Sequence, residues 1–447
     1  MDKDSQFKQY PVISNSELLL ERAERLIPCA TQTLAKGMTQ YSRGVAPSFI
    51  VRGKGAHVWD VDGNEYIDFT MGVGPVSLGY CYDSVDAAIK NQLEDGITFS
   101  LVHPLEVEVA ELIHEIIPNA ESVRFSKTGC DITTATVRLA RAFTGKNTIL
   151  CCGYHGWHDW YIGTTDRNRG IPSSTQELTF TFQYNDIQSV LDAIDDDTAA
   201  IILEPMVFEL PKNDFLLKLR QICDERGILL IFDEMWTGFR LSLGGAQEYF
   251  GVNADLACFS KAVANGMPIS ILTGRKDVMQ LLEQDVFFFT TFGGEALSLA
   301  ATKATINELR SKNVPTHLSF QGGKIINSYN EIASSLDMNY TRCSGLGCRS
   351  IVSFDSVIGA SSLEMKTYVQ QELLRFGVLW TGFHNMCFSH SDTDIEQIVG
   401  AYRQILPELH KIVASGSIQE HLQGETLKPV FRKTSNFNTK PKKKHDE

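Results

Sequence analysis

Ala199-Ala200-Ile201-Ile202-Leu203 runs into Glu204, Ile228-Leu229-Leu230-Ile231-Phe232 into Asp233, and Leu256-Ala257-Cys258-Phe259-Ser260 into Lys261. Each is a short apolar run of strand length that ends on an ionisable residue. The spacings are 29 and 28 residues, about the length of one βα repeat. In a parallel sheet that spacing predicts all three side chains along one edge, at the carboxyl ends of the strands. Open α/β sheets bind their ligands there. A carboxylate and a lysine brought together on that edge point to chemistry rather than packing.

Around these strands the 447-residue chain is long enough for two or three lobes. With 43% hydrophobic residues and 34 glycines it can build a large core. A net charge of −13 argues against general nucleic-acid affinity. The ten cysteines have no paired metal spacing and read as reduced thiols. Met1-Asp2-Lys3-Asp4-Ser5 lacks an apolar leader core, and no run approaches ~20 apolar residues. The expectation is a cytoplasmic protein with no membrane and no metal.

Leucines at helical spacing predict a surface helix over residues 16–27. Ser48 to Val51, Ala56 to Asp60 and Glu65 to Phe69 read as a β-meander, with Asp62-Gly63 as a tight turn. From about residue 105 to 300, helices alternate with short apolar strands, the pattern of an α/β core. Residues 303–415 mix helices (Leu318 to Ser335, Met365 to Phe376, Asp394 to Val413) with strands at Arg349 to Phe354 and Val378 to Trp380. The expected organisation is a large domain with a mainly parallel sheet over 73–302 and a smaller α+β domain over 303–415. Residues 1–72 contribute to the smaller domain, and 416–447 form a polar tail that ends in a lysine-rich run.

Several residues carry chemistry. A lysine held where it can lose its proton is a nucleophile towards aldehydes, and Lys261 leads into a loop punctuated by Gly266 and Pro268. Asp233 at the end of a buried strand must find a partner. A protonated pyridine nitrogen is one, since the carboxylate would keep that ring an electron sink; an ion pair with Arg240 or a helix cap is the structural alternative. Lys127-Thr128-Gly129-Cys130-Asp131 leads into a helix from Ile132 to Phe143, and free amides at a helix N-terminus suit a phosphate. The same pattern also describes an ordinary cap. Thr290-Thr291-Phe292-Gly293-Gly294-Glu295 precedes another helix. The loop Tyr154-His155-Gly156-Trp157-His158-Asp159-Trp160-Tyr161 could stack a ring on a planar cofactor. Its two histidines lack a third ligand for zinc.

Together these segments resemble the class III aminotransferases, pyridoxal-phosphate (PLP) enzymes of fold type I. The resemblance runs from about Leu26 to Val413. It is carried by Asp60-Val61-Asp62-Gly63, Thr128-Gly129, Tyr154-His155-Gly156, Glu204-Pro205, Phe232-Asp233-Glu234 with Thr237-Gly238-Phe239-Arg240, Lys261 with Gly266-Met267-Pro268, and Thr291 with Gly294. Within the class, the sequence looks most like the glutamate-1-semialdehyde 2,1-aminomutase branch. More closely, it resembles aminomutase-like aminotransferases of bacterial surface-polysaccharide gene clusters, a match carried by Gly153 to Trp157 with Asp159-Trp160-Tyr161, Gly244 to Phe250 and Thr291 to Glu295.

The resemblance implies roles. Lys261 matches the lysine that carries the cofactor covalently, and Asp233 the partner of its ring nitrogen. Thr128, Gly129 and Cys130 match the phosphate-binding turn, with Cys130 where a hydroxyl residue is usual. Tyr154, followed by His155, matches the aromatic over the ring, and Glu204 a buried carboxylate near its polar edge. Thr291 matches a phosphate ligand given by a neighbouring subunit, which implies a homodimer with shared active sites. Arg43, Trp157 and His384 are substrate candidates. The mutase branch carries an acid before the His-Ser that matches His390-Ser391; Trp380-Thr381-Gly382-Phe383-His384-Asn385-Met386 has none. The expectation is a transferase acting on a small amino donor and a keto acid or sugar-derived acceptor, in surface-glycan synthesis. An intramolecular aminomutase and a non-catalytic scaffold of the same fold are the alternatives; the intact Asp233/Lys261 pair argues against the scaffold.

Overall fold

The three strand-end runs become neighbours in one sheet. In the computed structural model, which describes residues 9–429, that sheet has seven strands in the order Ser122–Ser126, Ser270–Gly274, Leu256–Phe259, Leu229–Asp233, Thr198–Leu203, Thr148–Cys152, Thr179–Thr181. Ser270–Gly274 alone runs opposite to the rest, pairing antiparallel with both its neighbours. The other pairings are parallel. Every residue of Thr198–Leu203 and Leu229–Asp233 is buried, and burying one Ile or Leu is worth ~1.5–3 kcal/mol. Such strands, apolar on both faces, make a stiff frame for the loops at their carboxyl ends.

Register refines the expected edge. Leu203 lies opposite Phe232 and Asp233 opposite Cys258. Glu204 and Asp233 are therefore level, while Lys261 lies three residues beyond the level of Asp233. The strand expected to reach Ser260 ends at Phe259, and Lys261 opens a 3₁₀ turn to Ala264.

The chain divides into two compact units. One comprises residues up to Tyr82 together with those from Thr316; the other runs from Asp83 to Pro315. The boundaries differ from those expected at 72/73 and 302/303. The second of these would cut the helix Ala296–Ser311, which packs on Asp83–Asp95 and Pro104–Ile116.

In the first unit the expected meander forms as Ile50–Lys54, His57–Asp60 and Glu65–Asp68. Asp60 secures its turn. Its Oδ1 accepts the amides of Asp62 (3.0 Å) and Asn64 (2.8 Å), and its Oδ2 accepts the Tyr66 hydroxyl (3.0 Å). Gly63 supplies a φ of +89°, a conformation that costs other residues more. Val378–Leu379 adds a parallel fourth strand. A separate antiparallel sheet joins Thr341–Leu346, Arg349–Phe354 and Phe383–Asn385. The helices Ser362–Arg375 and Asp392–Ser415 both begin on capping boxes, Ser361 with Glu364 and Ser391 with Asp394.

The polar tail expected from residue 416 does not begin there. Ile418 and Leu427 are buried. The Glu425 amide donates to the Arg43 carbonyl and the Lys428 amide to the Thr39 carbonyl, both at 3.0 Å. This segment is pinned by two apolar side chains in an otherwise polar run. The lysine-rich end lies outside the described residues.

Candidate active site

Asp233 is the best-defended charge on the sheet edge. It is 1% exposed. Its Oδ2 accepts from His155 Nδ1 at 2.8 Å and its Oδ1 from the Met235 amide at 3.1 Å. Arg240, the alternative partner the sequence offers, instead lies 5.8 Å over the Trp236 ring. Glu234 beside it is structural. Its carboxylate accepts from the amides of Ala246 (2.6 Å) and Gln247 (3.2 Å) and from Thr237 Oγ1 (2.7 Å). Burial pushes it up to about 7.

Glu204 and the aromatic loop come as a pair. Glu204 Oε2 accepts the Tyr154 amide at 2.9 Å. A side chain at Gly153 would begin 2.6 Å from that same oxygen, on a backbone with φ +109°; only glycine lets the loop press onto the carboxylate. The loop then docks on the helix Gly129–Thr144. Thr133 Oγ1 donates to the His155 carbonyl (2.8 Å), and Trp160 Nε1 donates to Thr134 Oγ1 (3.1 Å). The His155 ring stacks on Trp160 at 6.0 Å and meets Tyr161 edge-on at 5.4 Å. Tyr154 stands edge-on to Tyr161 at 5.6 Å.

The Thr128 turn is a helix cap. Thr128 Oγ1 accepts the Asp131 amide (3.3 Å), and Asp131 Oδ2 accepts the Thr128 amide (2.9 Å). The first turn of a helix leaves its amides without helical acceptors, so those of Gly129 and Cys130 remain for a ligand at the positive end of the dipole. Both positions are tight. A Cβ on Gly129 would sit 2.9 Å from Met235 Sδ, and one on Gly156 would sit 2.6 Å from Cys130 Sγ.

Lys261 has φ +48°, a left-handed conformation that costs a non-glycine residue ~1–3 kcal/mol. Its Nζ lies 4.5 Å over the Trp236 ring. Thr291 is exposed in the turn before Ala296–Ser311. Trp157 is 68% exposed at the tip of the aromatic loop, edge-on to His158. Arg43, in the first unit, is answered by Glu24 at 2.8 Å.

His384 requires a correction. It is fully buried in the first unit, with Ser350 Oγ at 2.9 Å from Nδ1 and Tyr402 OH at 2.7 Å from Nε2. Burial pushes the ring down to about 3. Both nitrogens are used and no face is open, so it is a core group and not a substrate contact.

Sequence reading missed Met235 and Trp236, which support Asp233 and lie under Lys261. An aromatic three residues past a strand-end carboxylate was the available signal. It also missed Lys127, whose Nζ reaches Glu295 Oε1 (2.6 Å), Ser298 Oγ (3.1 Å) and the Pro268 carbonyl (3.1 Å). That cluster ties the Thr128 turn to the segment after Lys261. No group of three or more His, Cys, Asp or Glu side chains among the described residues could hold a metal.

A buried carboxylate, a strand-end lysine over an indole and a helix N-terminus on one sheet edge define a PLP-dependent transferase of fold type I. The family model for aminotransferase class-III matches residues 40–390, and the chain belongs to that family. It is 35% identical to the 3-aminobutyryl-CoA aminotransferase of Cloacimonas acidaminovorans, over 90% of this chain and 99% of that protein. It is 32% identical to a glutamate-1-semialdehyde 2,1-aminomutase of Francisella tularensis, over 88% and 99%. Among solved structures it resembles the PLP-containing FumI protein of Sphingopyxis sp. MTA144, with a TM-score of 0.82, 28% identity and coverage of 90% and 98%. The cofactor is PLP, and the residues present fit it. Asp233 keeps lone pairs for a ring N–H, and the turn at Gly129 and Cys130 is shaped for a phosphate.

Proposed function

We propose that this chain is an aminotransferase that moves an amino group from a small amino donor to a small carbonyl acceptor. PLP, when bound, supplies an aldehyde that takes up an amine and a ring that withdraws electrons from the neighbouring carbon. The chain supplies the rest. Lys261 holds the cofactor until a substrate amine displaces it. Its freed amine then moves a proton from the substrate carbon. Asp233 keeps the ring nitrogen protonated, and His155 and the Met235 amide hold its carboxylate still. Thr128 and the amides of Gly129 and Cys130 bind the phosphate. Tyr154 covers the ring, on a loop held by Glu204.

The observation that carries transfer over internal rearrangement is the segment Trp380 to Met386. It contains no acid. Without an acid to help retain the intermediate, the carbonyl product leaves. The aminomutase reading has its own support in the near full-length match to the Francisella tularensis enzyme.

The working unit in this reading is a cytoplasmic homodimer, with Thr291 serving the neighbouring site. Phe287, Phe289 and Phe292 are all more than half exposed beside it, an apolar surface of the kind that subunits cover.

The test is spectroscopic. Glutamate should abolish the visible absorption of the holoenzyme without forming 5-aminolevulinate, and a suitable acceptor should restore it. The acceptor panel spans keto acids, keto sugars of the kind used in glycan assembly, and 3-oxoacyl thioesters, the last chosen because 3-aminobutyryl-CoA carries its amine on carbon 3. Efficient 5-aminolevulinate formation from glutamate-1-semialdehyde with no added donor would overturn transfer in favour of the mutase.

A further inference from the structure

Lys366, on the helix Ser362–Arg375 of the first unit, has no anion. Among the described residues it makes no hydrogen bond and no ion pair. The acids of its own helix are committed elsewhere: Glu364 to the Ser361 cap and Gln419, and Glu372 to Tyr10, Gln371 and Arg375. The amine end packs against Gly382, where a Cβ would lie 3.0 Å from Nζ and 2.8 Å from Cε. Nζ also stands 5.9 Å over the Phe383 ring, and the Arg349 guanidinium lies 5.8 Å from the centre of the same ring. Two cations therefore share one aromatic ring.

Gly382 has φ +102°, a backbone conformation that favours glycine. Trp380 Nε1, a buried donor in the same segment, has no partner among the described residues. Buried polar atoms are satisfied in the great majority of cases, so this open indole N–H is available to an acceptor group. Burial pushes the Lys366 ammonium down to about 8, which leaves it mostly charged at neutral pH. A partly buried charge without a counter-ion is costly, and an incoming anion relieves that cost.

We propose that Lys366 anchors a binding site for an anionic group, the carboxylate or phosphate of a small molecule, in the first unit. That this molecule is a substrate of the enzyme rests on the aminotransferase reading above; the site itself does not.

Calorimetric titration of the PLP-loaded enzyme at pH 7 tests this, with inorganic phosphate and, separately, glutarate as probes. Saturable binding of at least one probe is expected, weakened about tenfold or more in Lys366→Met, equivalent to at least ~1.4 kcal/mol. Thermal unfolding of the variant controls for folding, and Lys366→Gln carries the same expectation should the Met variant not fold. Glutarate binding identifies a carboxylate ligand; binding of phosphate alone identifies a phosphorylated one. No saturable binding of either probe, or equal affinity in wild type and variant, overturns the site. Transamination without anion binding would sink this proposal and leave the function standing. Anion binding without transamination would do the reverse.

Discussion

His155 in the second unit and His384 in the first are both buried imidazoles on short segments, and their surroundings put them to different uses. His155 faces a carboxylate, Asp233, at 2.8 Å. His384 faces the hydroxyls of Ser350 and Tyr402 and the thiol of Cys343, and burial takes its ring down to about 3. His390, stacked on Phe69 at 4.6 Å, is likewise pushed down to about 4 by burial. An opposing charge makes a buried polar group part of an electrostatic site; its absence makes the same group a neutral packing element. Asp233 on the sheet edge of the second unit is answered by His155, whereas burial disfavours the charged forms of His384 and His390 in the first unit.

The largest effect should come from the edge. Lys261→Ala should lower turnover by several powers of ten, on the scale of other lost covalent nucleophiles, with the fold retained. Near wild-type turnover would break the comparison at once. Asp233→Asn keeps the shape and removes the charge. It should lower kcat by roughly 10²–10⁴-fold, on the scale of a lost acid–base or charge-stabilising group, with a much smaller change in KM. A change confined to KM would reduce Asp233 to a structural partner of His155.

The core of the first unit should answer in stability. His384→Ala opens a cavity and strands two buried hydroxyls, costing ~2–4 kcal/mol, read as a lower denaturation midpoint. A change below ~0.5 kcal/mol would mean the ring is not the packing element described.

The smallest effect belongs to His57, a half-way case between the two histidines. Its Nε2 is 3.1 Å from Asp394 and its Nδ1 2.9 Å from Glu65. The bond to Asp394 raises its pKa most, against partial burial, which lowers it. A raised folded-state pKa gives stability that is fully present below the unfolded value, ~6.5, and lost as pH rises through the folded value. The ring is about a third exposed, so the contribution is ~1 kcal/mol or less. The stability gap between wild type and His57→Asn should be present at pH 6 and close in alkaline solution. A gap that widened with pH would reverse the sign.

Much of the edge was legible because its determinants are local. Apolar runs of five residues set the strands, and the residue after each run falls at the edge by geometry. The His155–Asp233 pair was not readable, since its partners are 78 residues apart and nothing in either segment names the other. Nor was the register that carries Lys261 beyond Asp233, because it depends on where one strand stops pairing. The first unit was harder. His384 sits among Trp380, Gly382 and Phe383, a composition equally suited to a pocket or a core, and only burial decides. Residues 416–429 looked like a tail because two apolar anchors, Ile418 and Leu427, are too sparse for a periodic signal.

The central claim is that Lys261 carries the cofactor, and its most direct test is chemical. Borohydride reduction of the holoenzyme should abolish its visible absorption band. Digestion and mass spectrometry should then find the phosphopyridoxyl group on the peptide containing Lys261. The label on another lysine, such as Lys127 or Lys366, or on none, would contradict the account.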